Sequence, residues 1–176
     1  MERTVRLSSM IDRYGKGPVE DYLRRFRCAK DPDLQTFLHE KAVMYENKGR
    51  SRTFLMIDED KTIRAYITLA LTDIEVREDS LLSKGIRRKM DLNGNRAVGY
   101  LIGQMAKDDR VQEHIGHSLI SKALRLLNVS YMMNGGRVVC VDCKKELLPF
   151  YQREGFVLIH TKPDEKNDLY RLILLF

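Results

Sequence analysis

PFYQREGF, Pro149–Phe156, lies between two apolar runs, RVVCV (Arg137–Val141) and FVLIH (Phe156–His160). The aromatic pair Phe150-Tyr151 stands one helical turn ahead of Gly155-Phe156. The stretch therefore reads as strand, short helix ending at a glycine, strand. That arrangement can hold the Tyr151 hydroxyl at the mouth of a sheet cleft, where a phenol can give up a proton. Taken alone, the pair favours a plainer role: Tyr151 as an amphipathic core residue with its hydroxyl satisfied. The rest of the chain decides between the two.

Upstream, helical and extended patterns alternate. Thr4–Ser9 reads as a first strand. Val19, Tyr22, Leu23 and Phe26 recur at helical spacing, as do Leu34, Phe37, Leu38, Ala42 and Tyr45. Asp31 or Asp33 can cap the second of these helices, and Asn47-Lys48-Gly49 ends it. Thr53–Ile57 and Ile63–Leu71, joined by an acidic turn, predict a β-hairpin. Arg96–Ala106 is the longest apolar extended segment. Ile115, Leu119, Ala123 and Leu127 mark a long amphipathic helix that Gly135-Gly136 finishes, and Leu169–Phe176 is apolar enough for a buried or pairing strand. The order is β-α-α-β-β-β-α-β-α-β-β, an α/β (α+β) mixed sheet. The basic, turn-rich stretch 77–95 reads as a surface insertion with some helix.

The chain has 176 residues, enough for one domain, 1–176, with a real core. Its hydrophobic content of 43% and charged content of 32% describe an ordinary soluble globule. No apolar run approaches the roughly 18 residues of a membrane span, and the N-terminus lacks the apolar core of a signal peptide. Three cysteines without framework spacing suit a reducing cytoplasm. A net charge of +6 biases the protein towards polyanionic partners: a phosphorylated cofactor, an acidic protein or nucleic acid.

The element order and the local motifs together resemble the GNAT superfamily of N-acetyltransferases over nearly the whole chain. The FYQREGF element looks like that family's Tyr-x-x-x-Gly-Phe signature. FRCAKDPDLQTFLHEKA (Phe26–Ala42), RTFLMIDEDKTIRAYITLAL (Arg52–Leu71) and YLIGQMAKDD (Tyr100–Asp109) look like segments of toxin-type and related Gram-positive bacterial GNAT proteins. The resemblance implies a mostly antiparallel central sheet flanked by helices. It also implies acetyl-CoA as co-substrate and a primary amine as acceptor, joined by direct transfer in a ternary complex. Among the toxin-type relatives the acceptor is the amino group of aminoacyl-tRNA, which makes tRNA a candidate partner.

Acyl transfer from a thioester needs a grip on the long carrier, stabilisation of the tetrahedral oxyanion and a proton for the leaving thiolate. The resemblance puts the thioester beside Met105, Ala106 and Lys107, at the end of the long strand, where a backbone N–H is a natural oxyanion donor. It puts the pyrophosphate at the start of the following helix, on Gln112, Glu113, His114, Ile115, Gly116 and His117, with Lys144 as a further cofactor contact. An unperturbed phenol, with a pKa of about 10, is protonated at neutral pH. Tyr151 is then the acid that protonates the CoA sulfur.

The loop departs from the family's Arg/Gln-x-x-Gly-x-Gly/Ala pattern. The aligned residues are Val111, Gln112, Glu113, His114, Ile115 and Gly116, of which only the last glycine matches, and Arg110 comes one place early. A side chain at His114 hinders close backbone approach, and Asp108, Asp109 and Glu113 bring unfavourable charge towards a phosphate. Lys107, Arg110, His114 and the helix dipole can offset them. Asp73 and Glu75, at the exit of the Ile63–Leu71 strand, are carboxylates on the expected substrate side, but a solvated strand end explains them equally. The general base is left unassigned.

Cys140-Val-Asp-Cys143 has C-x-x-C spacing, yet on a strand residues three apart face opposite ways, which argues against a shared metal. His114-x-x-His117 lacks a third ligand nearby, so no metal is expected. Three functions stand: an acetyl-CoA-dependent N-acetyltransferase, a GNAT-like fold kept as a binding module, and a basic protein acting on or binding tRNA. The apolar C-terminal strand also allows a homodimer.

Overall fold

A computed structural model describes residues 2–165 and 167–176. The strands are β1 (Arg3–Arg6), β2 (Arg52–Ile57), β3 (Ile63–Glu75), β4 (Arg96–Lys107), β5 (Val138–Cys143), β6 (Val157–Leu158) and β7 (Tyr170–Leu175). The helices are α1 (Leu7–Tyr14), α2 (Lys16–Leu23), α3 (Pro32–Thr36), α4 (Ala42–Asn47), α5 (Lys84–Met90), α6 (Gly116–Asn134) and α7 (Leu148–Arg153). The strands make one mostly antiparallel seven-stranded sheet in the order β1-β2-β3-β4-β5-β7-β6. Here β4 and β5 pair in parallel, through Tyr100–Ile102 against Val139–Val141.

The residues cluster into two compact units. One holds the chain up to Ala70 together with Gly103–Leu119; the other holds Leu71–Ile102 and Ile120–Phe176. The core of the first is built from Leu7, Val19, Leu23, Phe26, Leu38, Leu55 and Tyr66 around β2 and β3. That of the second gathers Ile74, Met90, Val138, Cys140, Ile159 and Ile173.

Local chemistry explains where elements differ from their expected bounds. The first strand stops at Arg6, and Ser8 and Ser9 belong to α1. Fully buried Leu7 with Met10 and Ile11 makes an i, i+3, i+4 stripe, which selects helix over strand. The chain leaves α2 at Leu23 through a turn closed by Phe26 N–H on Leu23 C=O at 3.1 Å, so Phe26 enters the core outside the helix. The next helical repeat is broken by a π-helical turn, Phe37–Lys41, between α3 and α4. Strand β3 runs on past Leu71 to Glu75, so Asp73 and Glu75 lie inside it and not at its exit. Only Val157 and Leu158 of the expected Phe156–His160 strand pair, against β7. Within the stretch 77–95, α5 is capped by Ser83, whose hydroxyl accepts Ile86 N–H at 3.2 Å.

At Gly99 close packing leaves no room for a side chain. A Cβ there would lie 2.6 Å from Ile74 Cδ1 and 2.7 Å from the Val138 carbonyl oxygen. Gly99→Ala should therefore lower the unfolding free energy by about 1–3 kcal/mol, as overpacked cores do. Urea unfolding monitored by circular dichroism checks this, and an unchanged midpoint would mean that the strands move apart at no cost.

Candidate active site

The expected cofactor residues fall in two places. Met105, Ala106 and Lys107 end β4, and Gln112–His117 run through the following loop into α6, all in the first unit. Ala106 is buried and Met105 and Lys107 half-buried, whereas Gln112, Glu113, His114 and His117 are exposed and Ile115 and Gly116 intermediate. Tyr151 and exposed Lys144 belong to the second unit.

The loop is held by its own charges. Lys107 Nζ donates to the carbonyl oxygens of Val111 at 2.8 Å and Glu113 at 3.0 Å, stapling the loop across its width. Glu113 pairs with Arg64 Nη2 at 2.9 Å, and backbone hydrogen bonding followed by Arg64 holds its carboxyl below the usual range. The first turn of α6 is closed by Leu119 N–H on Ile115 C=O at 2.9 Å. Gly116 is thus the first residue of a helix long enough to present its N-terminal N–H groups to an anion.

Asp108 overturns an expectation. It does not add loose negative charge to the loop: its side chain has no solvent exposure and turns inward. One oxygen accepts Arg110 N–H at 3.0 Å and Arg110 Nε at 2.6 Å. The other accepts Arg110 Nη2 at 2.8 Å and Arg27 N–H at 2.9 Å. Burial works to raise this carboxyl, but Arg110 and the backbone donors outweigh it and hold it below the ordinary range. Asp109 likewise accepts Ala29 N–H at 2.9 Å, while its own N–H donates to Arg27 C=O at 2.9 Å. Arg110 also reaches Arg25 C=O at 3.2 Å. Its Nε and Nη2 are therefore committed to Asp108 and to backbone.

Tyr151 sits on α7, buried at 8% exposure between Phe150 and Phe156, whose rings stand edge-on to it at 5.0 and 5.8 Å. The helix ends where Phe156 N–H donates to Tyr151 C=O at 3.0 Å, and Gly155 takes the positive φ of 89° that the turn needs. Among the described residues no hydrogen bond engages the phenol oxygen. Burial, with Cys143 adding to it, pushes the phenol up to about 12. The group is thus protonated throughout the physiological range.

The carboxylates considered as bases are differently placed. Asp73 accepts Arg96 Nε at 2.7 Å, and this pairing holds its carboxyl below the usual range, which weakens it as a base. Asn95 Nδ2 donates to Glu75 at 3.2 Å.

No family model matches the chain, and no curated relative matches it. Solved structures do. AtaT complexed with acetyl-methionyl-tRNAfMet is 18% identical, over 99% of this chain and 95% of that one, with a TM-score of 0.76. A Tyr-to-Phe variant of KacT is 20% identical over 99% and 94% of the two chains, at a TM-score of 0.75. AtaTR bound with acetyl-CoA is 16% identical over 99% and 92%, at 0.67. The chain has the GNAT fold.

Within the GNAT fold, what sequence reasoning missed is the role of Asp108. Its signal was an acid two residues before an arginine at a strand end, a spacing that permits a forked ion pair. Its other partner is a backbone N–H 81 residues away, which no pattern reveals.

The raised Tyr151 phenol has a consequence for stability. An unfolded chain ionises this group near 10 and the folded chain near 12, so its contribution is complete below about 10 and is lost as pH climbs to about 12. Alkaline denaturation of wild type and Tyr151→Phe should diverge in that window, with wild type losing more stability. Parallel curves would mean an unperturbed phenol.

Proposed function

We propose that the chain is an acetyl-CoA-dependent N-acetyltransferase that moves the acetyl group to a primary amine by direct transfer in a ternary complex. The reading treats residues 1–176 as one acting domain. The observation that carries it is Tyr151: a buried, protonated phenol with no hydrogen-bond partner among the described residues, set at the short helix after β5 of a GNAT fold. The likeness to AtaTR bound with acetyl-CoA supports the choice of donor.

In this reading the pantetheine arm lies along the end of β4. An N–H near Met105–Lys107 receives the oxyanion that forms when the amine attacks the thioester carbonyl. The N–H groups around His114–His117 and the positive end of α6 hold the pyrophosphate. Gln112, Glu113 and Ile115 shape that loop, and Lys144 adds positive charge on the cofactor side. As the tetrahedral intermediate collapses, the C–S bond breaks, the electron pair leaves on sulfur and the Tyr151 hydroxyl supplies the proton. The attacking amine loses its proton to water, since neither Asp73 nor Glu75 is assigned as base.

One observation favours a particular acceptor. The net charge of +6, with Arg24, Arg25, Arg27 and Lys30 on the loop before α3, suits an amine carried by a polyanion. The structural neighbour AtaT was seen with acetyl-methionyl-tRNAfMet. Aminoacyl-tRNA is therefore the first acceptor to try, ahead of protein amines and small amines.

Acetyl-CoA at 100 times its Kd should stabilise the protein by about 2.7 kcal/mol in thermal melts. Turnover of acetyl-CoA should then appear with one of these acceptor classes. Tyr151→Phe should keep that stabilisation and slow turnover by roughly 10²-fold. Absence of any thermal shift would rule out the donor; a shift without turnover on any acceptor would leave a binding module; full activity in Tyr151→Phe would remove the tyrosine from the mechanism.

A further inference from the structure

The loop from Asp108 to Gly116 has to hold a defined shape without the glycines and the free arginine that its pattern lacks. It contains one glycine, at its end, and its arginine forks onto Asp108 through Nε and Nη2. What fixes the loop is the Asp108 carboxylate. All its main lone-pair positions are filled, two donors on each oxygen, and one of the four donors comes from a separate segment, at Arg27. Three further bonds stitch the same two segments: Asp109 N–H to Arg27 C=O at 2.9 Å, Ala29 N–H to Asp109 at 2.9 Å, and Arg110 Nη2 to Arg25 C=O at 3.2 Å. On its other side Val111 N–H donates to Asp108 C=O at 3.0 Å, and the Val111 side chain is buried. The exposed stretch Gln112–His114 therefore leaves from a point tied to the Arg25–Ala29 segment by hydrogen bonds.

We infer that Asp108 is the positioning residue of the acetyl-CoA phosphate loop, acting through Arg110 and the Arg27 backbone to aim the N–H groups of Gln112–Gly116. This rests on the acetyltransferase reading above. A preorganised loop lowers the entropy lost when the phosphates bind, so its loss appears in acetyl-CoA affinity and not in the chemical step. The fork commits Nε and Nη2 of Arg110 to Asp108 and to the Arg25 carbonyl, so the part of the guanidinium that faces the carboxylate is used to hold the loop.

The test compares wild type, Asp108→Asn, Arg110→Gln and the double variant. Asp108→Asn keeps the size of the side chain and loses the charge and part of the accepting capacity. Arg110→Gln takes the cation away from a buried carboxylate, so the urea midpoint of every variant is measured beside its kinetics, and Arg110→Lys, which keeps the charge, serves where Arg110→Gln fails to fold. Each single variant should raise KM for acetyl-CoA about tenfold or more, with kcat at saturating acetyl-CoA and KM for the amine within about twofold. The double variant should be no worse than the single ones, because both remove one interaction. Arg110→Lys, which keeps the charge and loses the fork, should fall between wild type and Arg110→Gln.

Unchanged KM for acetyl-CoA in both single variants overturns the inference. So does a loss in which kcat and both KM values change together in step with the folded fraction, for that is a purely structural role. If wild type itself neither binds nor turns over acetyl-CoA, the acetyltransferase reading falls and takes this role with it. That failure is seen in wild type alone and cannot be confused with the other two.

Discussion

A carboxylate with no exposure to water is tolerated only where its charge is paired and its lone pairs are met. Asp108 satisfies both conditions with Arg110 and two backbone N–H groups, and the first unit is organised around that requirement. Its own N–H is equally committed, donating to Arg64 C=O at 2.8 Å across to β3. The end of β4 is thereby fixed to β3 through its backbone and to the segment before α3 through its side chain. Removing Arg110 leaves the buried Asp108 charge uncompensated, which costs far more than an exposed salt bridge contributes. The nearby Arg64–Glu113 pair is such an exposed contact, so it trims the loop's charge without holding its shape.

Burial sets the terms of the chemistry proposed for Tyr151. Desolvation raises the phenol to about 12 and so makes it a weaker acid in isolation. The same poorly solvated surroundings disfavour a thiolate leaving beside it, because both groups are anions when deprotonated. What matters for proton transfer is the difference between the two, and burial moves them in the same direction. A phenol without a hydrogen bond among the described residues suits this task better than one tied to a carbonyl, as Tyr66 is to Leu34 and Tyr100 is to Gly135. Those two tyrosines are structural: their protons are already engaged.

Much of this was legible in the sequence because it depended on periodic patterns. The amphipathic spacing of α6, the apolar run of β4 and the strand–helix–strand around Tyr151 are each local, so the fold followed from their order. The helix α1 was hidden because Thr4–Ser9 alternates like a strand until Leu7 is known to face the core. The π-helical turn at Phe37–Lys41 was hidden too, since one inserted residue leaves the apolar count intact. The candidate site was legible in part. Tyr151 drew notice by its neighbours as a candidate acid, whereas the loop was read by its departure from a pattern. Asp108 and Arg110 look like surface charge when read along the chain. They become a closed pair only once the backbone of Arg27 is brought beside them.

The cysteines bear on the order of the chemistry. A covalent acetyl-enzyme needs a nucleophile that ionises near neutrality, and a thiolate is the usual one. Burial pushes the Cys143 thiol up to about 11 and Cys140 up to about 12, and raises Cys28 as well. At pH 7 a thiol at 11 is ionised to roughly one part in 10⁴, by the tenfold change per unit that defines a pKa. Neither Cys140 nor Cys143 has a cation placed to reverse this strongly. Arg171 lowers Cys140 only slightly against its burial, being itself bound to Asp142 through two bonds of 2.7 Å. A ping-pong route through cysteine therefore starts from an almost empty reactive state, whereas attack by the amine itself needs nothing of these thiols. The proposed direct transfer therefore makes no demand on the three cysteines.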